Sequence, residues 1–353
     1  MSDHLSQYAG KTVLVTGGAG AIGSNLTRTL AGVAERVIVL DNLVASERWA
    51  VPSLPNVMFV EGDILDEVKI KRCFFEKPDV VFHLAAFFAN QNSIDHPESD
   101  LMVNGMGTLK LMEYSVLQGI DRFVYASSGC SIYGSSAPLP LKEEFMSMHL
   151  TTPYQITKML GELYANFFWH HHDLPVVKAR FFNSYGPGEV PGQYRNVIPN
   201  FIYWAMKGLP LPITGTGEET RDFTFVGDIV DGLMRAGVKP EAIGEEFNLA
   251  SGRETMIEDL ASMINEATEN KAGIKWAQVR KWDTKKRLRA SVDKARNLIG
   301  YAPDTEFTTG LEQTVRWFRD NWDRIDGAAS FGPGVSSAVR DMTVQKDGAG
   351  EEG

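Results

Sequence analysis

Tyr154 and Lys158 stand four residues apart in "PYQITK" (153–158), at the start of a segment with helical periodicity. Residues at that spacing share one helix face. An ammonium beside a phenol favours the ionised form and draws the phenol down from its ordinary value of about 10. Such a tyrosine can act as a general base toward a hydroxyl. A second cluster lies upstream. In "RFVYASSGCSIYGSS" (122–136) an apolar run collapses into Ser127, Ser128, Gly129, Cys130 and Ser131. Such a cluster at a strand end is either a tight turn or the rim of an active site, and Cys130 by itself reads as a small packing residue.

A third group handles anions. "TGGAGAIG" (16–23) places Gly17, Gly20 and Gly23 in GxxGxxG spacing, after an apolar strand and at the mouth of a helix that takes in Ala21 and Ile22. Glycines let the backbone turn tightly and approach a pyrophosphate, whose charge the helix N-terminus favours. Asp41 closes the next strand, 18 residues after Gly23, where a carboxylate can accept from both hydroxyls of a ribose. It would repel a 2′-phosphate, so NAD is expected rather than NADP, with Asn42 beside it. Asp63 and Ile64 follow the third strand and suit an adenine edge. "HLAA" (83–86) puts Leu84, Ala85 and Ala86 beside the cofactor, and His83 reads as a packed core histidine.

These groups need elements to hold them. "TVLVT", "RVIVLDN", "VMFVEGDI", "DVVFHLAA", "RFVYASS" and "VVKARFFNSYG" are short apolar runs, and amphipathic stretches such as "NGMGTLKLMEYSVLQG" lie between them. The alternation predicts βαβ units and a doubly wound parallel α/β sheet. After Pro187 the pattern breaks up, and "EEFNLAS" reads as a further strand returning to the sheet. We therefore expect a cofactor-binding domain over 1–186 that 222–250 rejoins, a smaller interwoven substrate domain over 187–327, and a disordered tail from 328 to 353.

The 353 residues carry a net charge of −10, which argues against a nucleic-acid surface but leaves room for local arginines on a phosphate. Two cysteines, Cys73 and Cys130, give no disulfide framework. No apolar run reaches the roughly 18 residues of a membrane span, and the N-terminus lacks signal-peptide features, so a cytoplasmic location is expected. No metal-ligand pattern stands out.

Taken in order, Gly17/Gly20/Gly23, Asp41, "HLAA", Asn104 in "VNGMGT", "ASS…YG", Tyr154/Lys158 and "RFFNSYGPG" resemble the extended short-chain dehydrogenase/reductase superfamily, specifically its nucleotide-sugar epimerase/dehydratase branch, over about residues 10 to 325. The resemblance implies a Rossmann sheet and bound NAD, with Asn104 among the cofactor residues. Tyr154 would be the base, with Lys158 its partner and a ligand of the nicotinamide ribose. Asn183 would hold the sugar nucleotide, Val197 in "NVIPNFI" would line the nucleotide pocket, and Arg221 in "TRDFTFVGD" would contact the diphosphate. Of Arg280, Arg287 and Arg289 in "VRKWDTKKRLRASVDKA", Arg280 is favoured as a second diphosphate contact, and Asp228 reads as structural.

The same resemblance bears on the reaction. Relatives place the catalytic Ser or Thr four residues before the Tyr-Gly dipeptide, which here is Gly129. In some 4-epimerases the hydroxyl stands one residue earlier, which points to Ser128 ahead of Ser127 and Ser131. Dehydratases carry an Asp-Glu pair after this hydroxyl and decarboxylases a Glu, whereas Gly129, Cys130 and Ser131 offer no carboxylate. Epimerisation at C4 of a UDP-sugar is expected. The alternatives are a decarboxylase or 4,6-dehydratase, a 3,5-epimerase of a GDP-sugar using Cys130, and a non-catalytic NAD-binding regulator. Homodimerisation is expected through the apolar helices after Asn104 and around "YQITKMLGELYANFF".

Overall fold

A computed structural model describes residues 3–279 and 285–331. Its centre is a seven-stranded parallel sheet. β1 (Thr12–Thr16), β2 (Arg36–Asp41) and β3 (Val57–Glu61) run outward on one side, and β4 (Val80–His83), β5 (Arg122–Ser128) and β6 (Val176–Phe181) run outward on the other. The strand Glu246–Leu249 pairs with β6 and completes the far edge, as Phe247 opposite Ala179 and Leu249 opposite Phe181 show. The order reverses between β1 and β4, which opens a crevice at their carboxyl ends.

Strand residues alternate between two cores. Val13, Val15, Val37 and Val39 face one side with Leu26 and Leu30 of the helix Ala21–Ala31 and Ile229 and Leu233 of the helix Val226–Ala236. Leu14, Ile38, Leu40 and Val81 face the other with Leu111 and Met112 of Thr108–Gln118 and Ala165 and Phe168 of Pro153–His172. Burial on both faces explains why these strands read as continuous apolar runs.

A third core lies beyond the crevice. Ile198, Phe201, Ile202 and Trp204 pack with Leu211, Ile213, Leu260, Ile264, Leu311 and Phe318. The tail expectation is corrected at its start. The helix Trp322–Ala328 reaches residue 328, Ser330 bridges Gly192, and the Phe331 ring packs on Tyr203 and Trp204 at 5.4 and 5.5 Å. The rest of that stretch lies outside the described residues.

Among the described residues no helix is long and apolar enough to cross a membrane. Leu101, Met102, Met106 and Leu117 are exposed, as are Ile156, Leu163 and Phe167 on the helix Pro153–His172.

Candidate active site

One cavity of about 510 Å³ runs along the crevice from the glycine turn to Arg221. At its near end, Gly17 has φ +69°, and a Cβ there would lie 2.6 Å from Ala85 N. A Cβ on Gly23 would lie 2.1 Å from Gly17 O, whereas one on Gly20 would be only tight, at 3.3 Å. The helix Ala21–Ala31 starts at Gly20 with no side-chain cap, so its first N–H groups are left for a ligand on the cavity wall. A cradle that no side chain could share fits a pyrophosphate.

Asp41 is 7% exposed and already well used. Its carboxylate accepts from Ala19 N (2.9 Å), Leu43 N (2.9 Å) and the Ser46 hydroxyl (2.7 Å). A carboxylate has roughly four acceptor positions, so about one remains. The expectation of two ribose hydroxyls on this one side chain is too generous, because Asp41 also ties the glycine turn to its own loop. Asn42 donates to Asp63 (2.8 Å), which also accepts from Leu65 N (2.8 Å). Asn42, Asp63, Ile64, Leu84, Ala85 and Ala86 all line the cavity, with Ala21 and Ile22.

Asn104 is placed elsewhere. It is 1% exposed, accepts from Phe87 N (2.8 Å), donates to Asp100 (2.8 Å), and is not in the cavity wall. It braces the Phe87 backbone from behind, which corrects its assignment as a direct cofactor contact. His83 is the packed histidine expected. Thr16 and Thr108 hold its two ring nitrogens at 2.8 and 2.9 Å, and burial pulls it down to about 3.

Tyr154 is the second residue of the helix Pro153–His172, which Thr152 caps through Gln155 N and which starts with proline at a position needing no N–H. Its ring meets Phe88 edge-on at 5.9 Å. Lys158, one turn later, donates to Ala126 O at 2.9 Å, with its ammonium 5.7 Å from the Tyr154 ring centre. In this cavity burial works against the pull of the lysine on the phenol. Burial pushes Tyr154 up, with Cys130 and Asp100 adding to the rise. Burial also lowers Lys158 to about 8, against the opposing field of Asp100. Desolvation therefore outweighs the pairing expected from the four-residue spacing.

That balance has a measurable consequence. The folded value of Lys158, about 8, lies below its ordinary 10.5. Below the folded value both states hold the proton and the buried charge costs stability in full. As pH rises toward the unfolded value the native state is neutral first, and the cost is relieved. Without added cofactor, Lys158→Met is expected to melt above wild type at pH ~7, with the gap narrowing by pH ~10. Thermal melts of both proteins at these two pH values check this, and a gap that widens would contradict it.

The serine turn follows β5. Ser127 donates to Glu162 at 2.5 Å and is thereby committed. Ser128 donates to Ser131 at 3.0 Å, and both line the cavity. Gly129 has no room for a side chain, since a Cβ would fall 2.0 Å from the Phe182 ring. The Cys130 thiol donates to Asn183 Oδ1 at 3.3 Å, and burial pushes it up to about 11. A thiol depressed for acid/base use is not what this turn provides.

Asn183, Val197 and Arg221 line the far end, and Arg221 donates to Thr220 O (2.9 Å) and Lys285 O (3.0 Å). Arg280 lies outside the described residues. Arg287 forks onto Glu254 (2.9 and 2.5 Å), and Arg289 lines a separate small cavity. Two cations escaped the sequence reading. Lys285 lines the cavity and donates to Cys130 O, and Arg195 lines it while reaching Ala45 O on the Asp41 loop. The basic stretch around Lys285 was visible, but nothing in the sequence of 192–196 marks Arg195.

The NAD dependent epimerase/dehydratase family model matches residues 13–250. The solved structure of Epimerase Mth375 from the thermophilic, pseudomurein-containing methanogen Methanothermobacter thermautotrophicus is 58% identical, covers 93% of this chain and 98% of that one, and superposes with a TM-score of 0.92. The Bordetella bronchiseptica enzyme WbmF, solved in complex with NAD+, is 37% identical over 91% of this chain and 96% of its own, with a TM-score of 0.80. Among curated relatives, UDP-glucose 4-epimerase of Mycolicibacterium smegmatis is 34% identical over 87% of this chain and 98% of its own. Relatives named as a UDP-N-acetyl-alpha-D-glucosaminuronate decarboxylase and a dTDP-glucose 4,6-dehydratase also match, at 29% and 33% identity.

Proposed function

The chain belongs to the NAD dependent epimerase/dehydratase family, and from that premise we propose that it inverts C4 of a nucleotide-diphosphate sugar, a UDP-sugar first among them. Gly17, Gly20, Gly23, Asp41 and Asp63 would hold NAD at the near end, and Asn183, Val197 and Arg221 the sugar nucleotide at the far end. Bound NAD supplies a reversible acceptor for the C4 hydrogen and its electron pair. Tyr154 takes the proton of the C4 hydroxyl and later returns it. Ser128 holds that hydroxyl, and Lys158, fixed on Ala126 O, supplies the positive charge beside the phenol. Room for a keto sugar to turn within the cavity would let the hydrogen return to its other face.

The observation that carries this reading is the composition of the serine turn. Water elimination needs an acid and a base beside the reacting hydroxyl, and here Gly129 is sterically closed while Cys130 and Ser131 carry no acid. Of the carboxylates that line the cavity, Asp41 and Asp63 are held by their own loops at the glycine end, Glu189 by Asn196 and Glu219 by Gly217 N, and Glu47 belongs to the loop that follows Asp41 rather than to the serine turn. The 3,5-epimerase reading loses support because burial raises the Cys130 thiol. The presence of both Tyr154 and Lys158 tells against a non-catalytic regulator. The exposed apolar side chains of Leu101, Met102, Ile156 and Leu163 support a homodimer through these helices.

Incubation with a panel of UDP-, GDP-, CDP- and dTDP-sugars, followed by proton NMR, is expected to give a C4 epimer. A 4-keto-6-deoxy product or released carbon dioxide, with no epimer, would overturn the proposal. On the active substrate Ser128→Ala should lose about 10- to 100-fold in kcat, in keeping with removal of one hydrogen bond to the reacting group. Equal losses for Ser128→Ala and Ser131→Ala would leave the choice of Ser128 without support.

A further inference from the structure

Beneath the serine turn lies a buried ion pair that the proposed reaction leaves unused. Arg180 on β6 and Glu162 on the helix Pro153–His172 are each 2% exposed as side chains. Their contact is a fork: Arg180 Nε donates to Glu162 Oε1 at 2.9 Å and Nη2 to Oε2 at 2.7 Å. Each partner then reaches one end of the turn. Glu162 Oε1 accepts from Ser127, immediately before Ser128. Arg180 Nη1 donates to the Tyr133 hydroxyl at 3.0 Å and to Glu143 O at 2.8 Å. The Tyr133 hydroxyl in turn donates to Asn248 Oδ1 at 2.7 Å.

We infer that Arg180 and Glu162 are positioning residues that hold Ser128 in register with Tyr154. The geometry is that of a bracket. Glu162 sits one helical turn beyond Lys158, so the helix that carries Tyr154 also carries the anchor for the turn. Three consecutive attachments join them: Ala126 O to Lys158, Ser127 to Glu162, and Tyr133 through Arg180 to Glu162. The strand and helix are drawn close at Gly161, where a Cβ would lie 2.2 Å from the Tyr125 hydroxyl. A buried ion pair is weak grounds for stability, because desolvating two charges offsets their attraction. A planar fork with fixed donor directions is well suited to registry instead. A displacement of about 1 Å between reacting groups can cost 100-fold in rate.

This inference rests on the proposed roles of Tyr154 and Ser128. Its test therefore reads the first step shared by the family's reaction classes, reduction of bound NAD by a nucleotide sugar in a single turnover, alongside steady-state kcat and KM. Ser127→Ala and Tyr133→Phe each remove one hydroxyl and leave the ion pair intact. The double substitution Glu162→Leu/Arg180→Met removes both charges together, so that neither is left unpaired. The single variants are expected to lose ~10-fold and the double variant ~100-fold in the rate of cofactor reduction. KM and NAD content should stay within about twofold, and both single variants should remain folded, with the rate read per folded enzyme. A purely structural role would lower melting temperature and leave the rate per folded enzyme unchanged. Wild-type rates in folded Ser127→Ala and Tyr133→Phe would overturn the inference whether or not the double variant folds. A wild-type protein that reduces its NAD with the sugar yet forms no epimer would count against C4 epimerisation alone.

Discussion

Tyr154→Phe is expected to lower kcat by about 1,000-fold, within the range a positioned general base contributes. The phenyl ring keeps the edge-on contact with Phe88 and the helical position next to Pro153, so the fold should be retained. Only the proton acceptor is lost. NAD content and the affinity for nucleotide sugar should therefore remain near wild type, placing the defect in the chemical step. Burial raises the Tyr154 phenol, so its work as a base depends on the positive charge of the Lys158 ammonium beside the ring, the chain's own source of opposing charge. Stopped-flow rates of cofactor reduction with substrate titrations would check the prediction. Full activity in Tyr154→Phe would remove the proposed base.

Gly23→Ala should act at the other end of the cavity and by a different route. The added methyl would sit 2.1 Å from Gly17 O and 2.7 Å from Gly18 Cα, both backbone atoms that cannot swing aside. The helix Ala21–Ala31 would have to move off the glycine turn, taking its open N-terminal N–H groups away from the anion position. NAD affinity is expected to fall by more than about 100-fold, and overpacking of this kind commonly costs 1–3 kcal/mol of stability. Gly20→Ala, with its nearest contact at 3.3 Å, should be much milder and serves as the control. Calorimetric titration with NAD on refolded, cofactor-free protein measures both. Equal affinities for Gly23→Ala and wild type would contradict the role given to this turn.

Much of the framework was legible because single residues report it locally. Short apolar runs doubly buried in a parallel sheet leave an unmistakable pattern, and Gly23 is demanded by Gly17 and Gly18 in its own turn, whereas what excludes a side chain at Gly17 is Ala85, brought alongside by β4. Asn104 was misplaced for the opposite reason. Its partners, the Phe87 backbone, Asp100 and Thr157, are gathered by the fold, and only their arrangement shows that it stands behind the cavity. The expected effect of Lys158 on Tyr154 was likewise a statement about spacing, whereas the outcome depends on how deeply both are buried. Phe331 is one aromatic in a run of small residues, too little apolar content to signal the Tyr203 and Trp204 rings that receive it. Ser128 stands ahead of Ser127 and Ser131 in sequence only by register to the Tyr-Gly dipeptide, and Glu162 sets Ser127 apart from the other two.

In epimerisation at C4, hydrogen leaves C4 and returns to C4 with nothing else lost from the sugar. A UDP-sugar deuterated at C4, incubated with the NAD-loaded enzyme and followed by NMR and mass spectrometry, tests it directly. An inverted C4 centre that retains its deuterium, in a product of unchanged mass, is expected. Deuterium transferred to C6 with loss of water, or an uninverted product lighter by carbon dioxide, would contradict it.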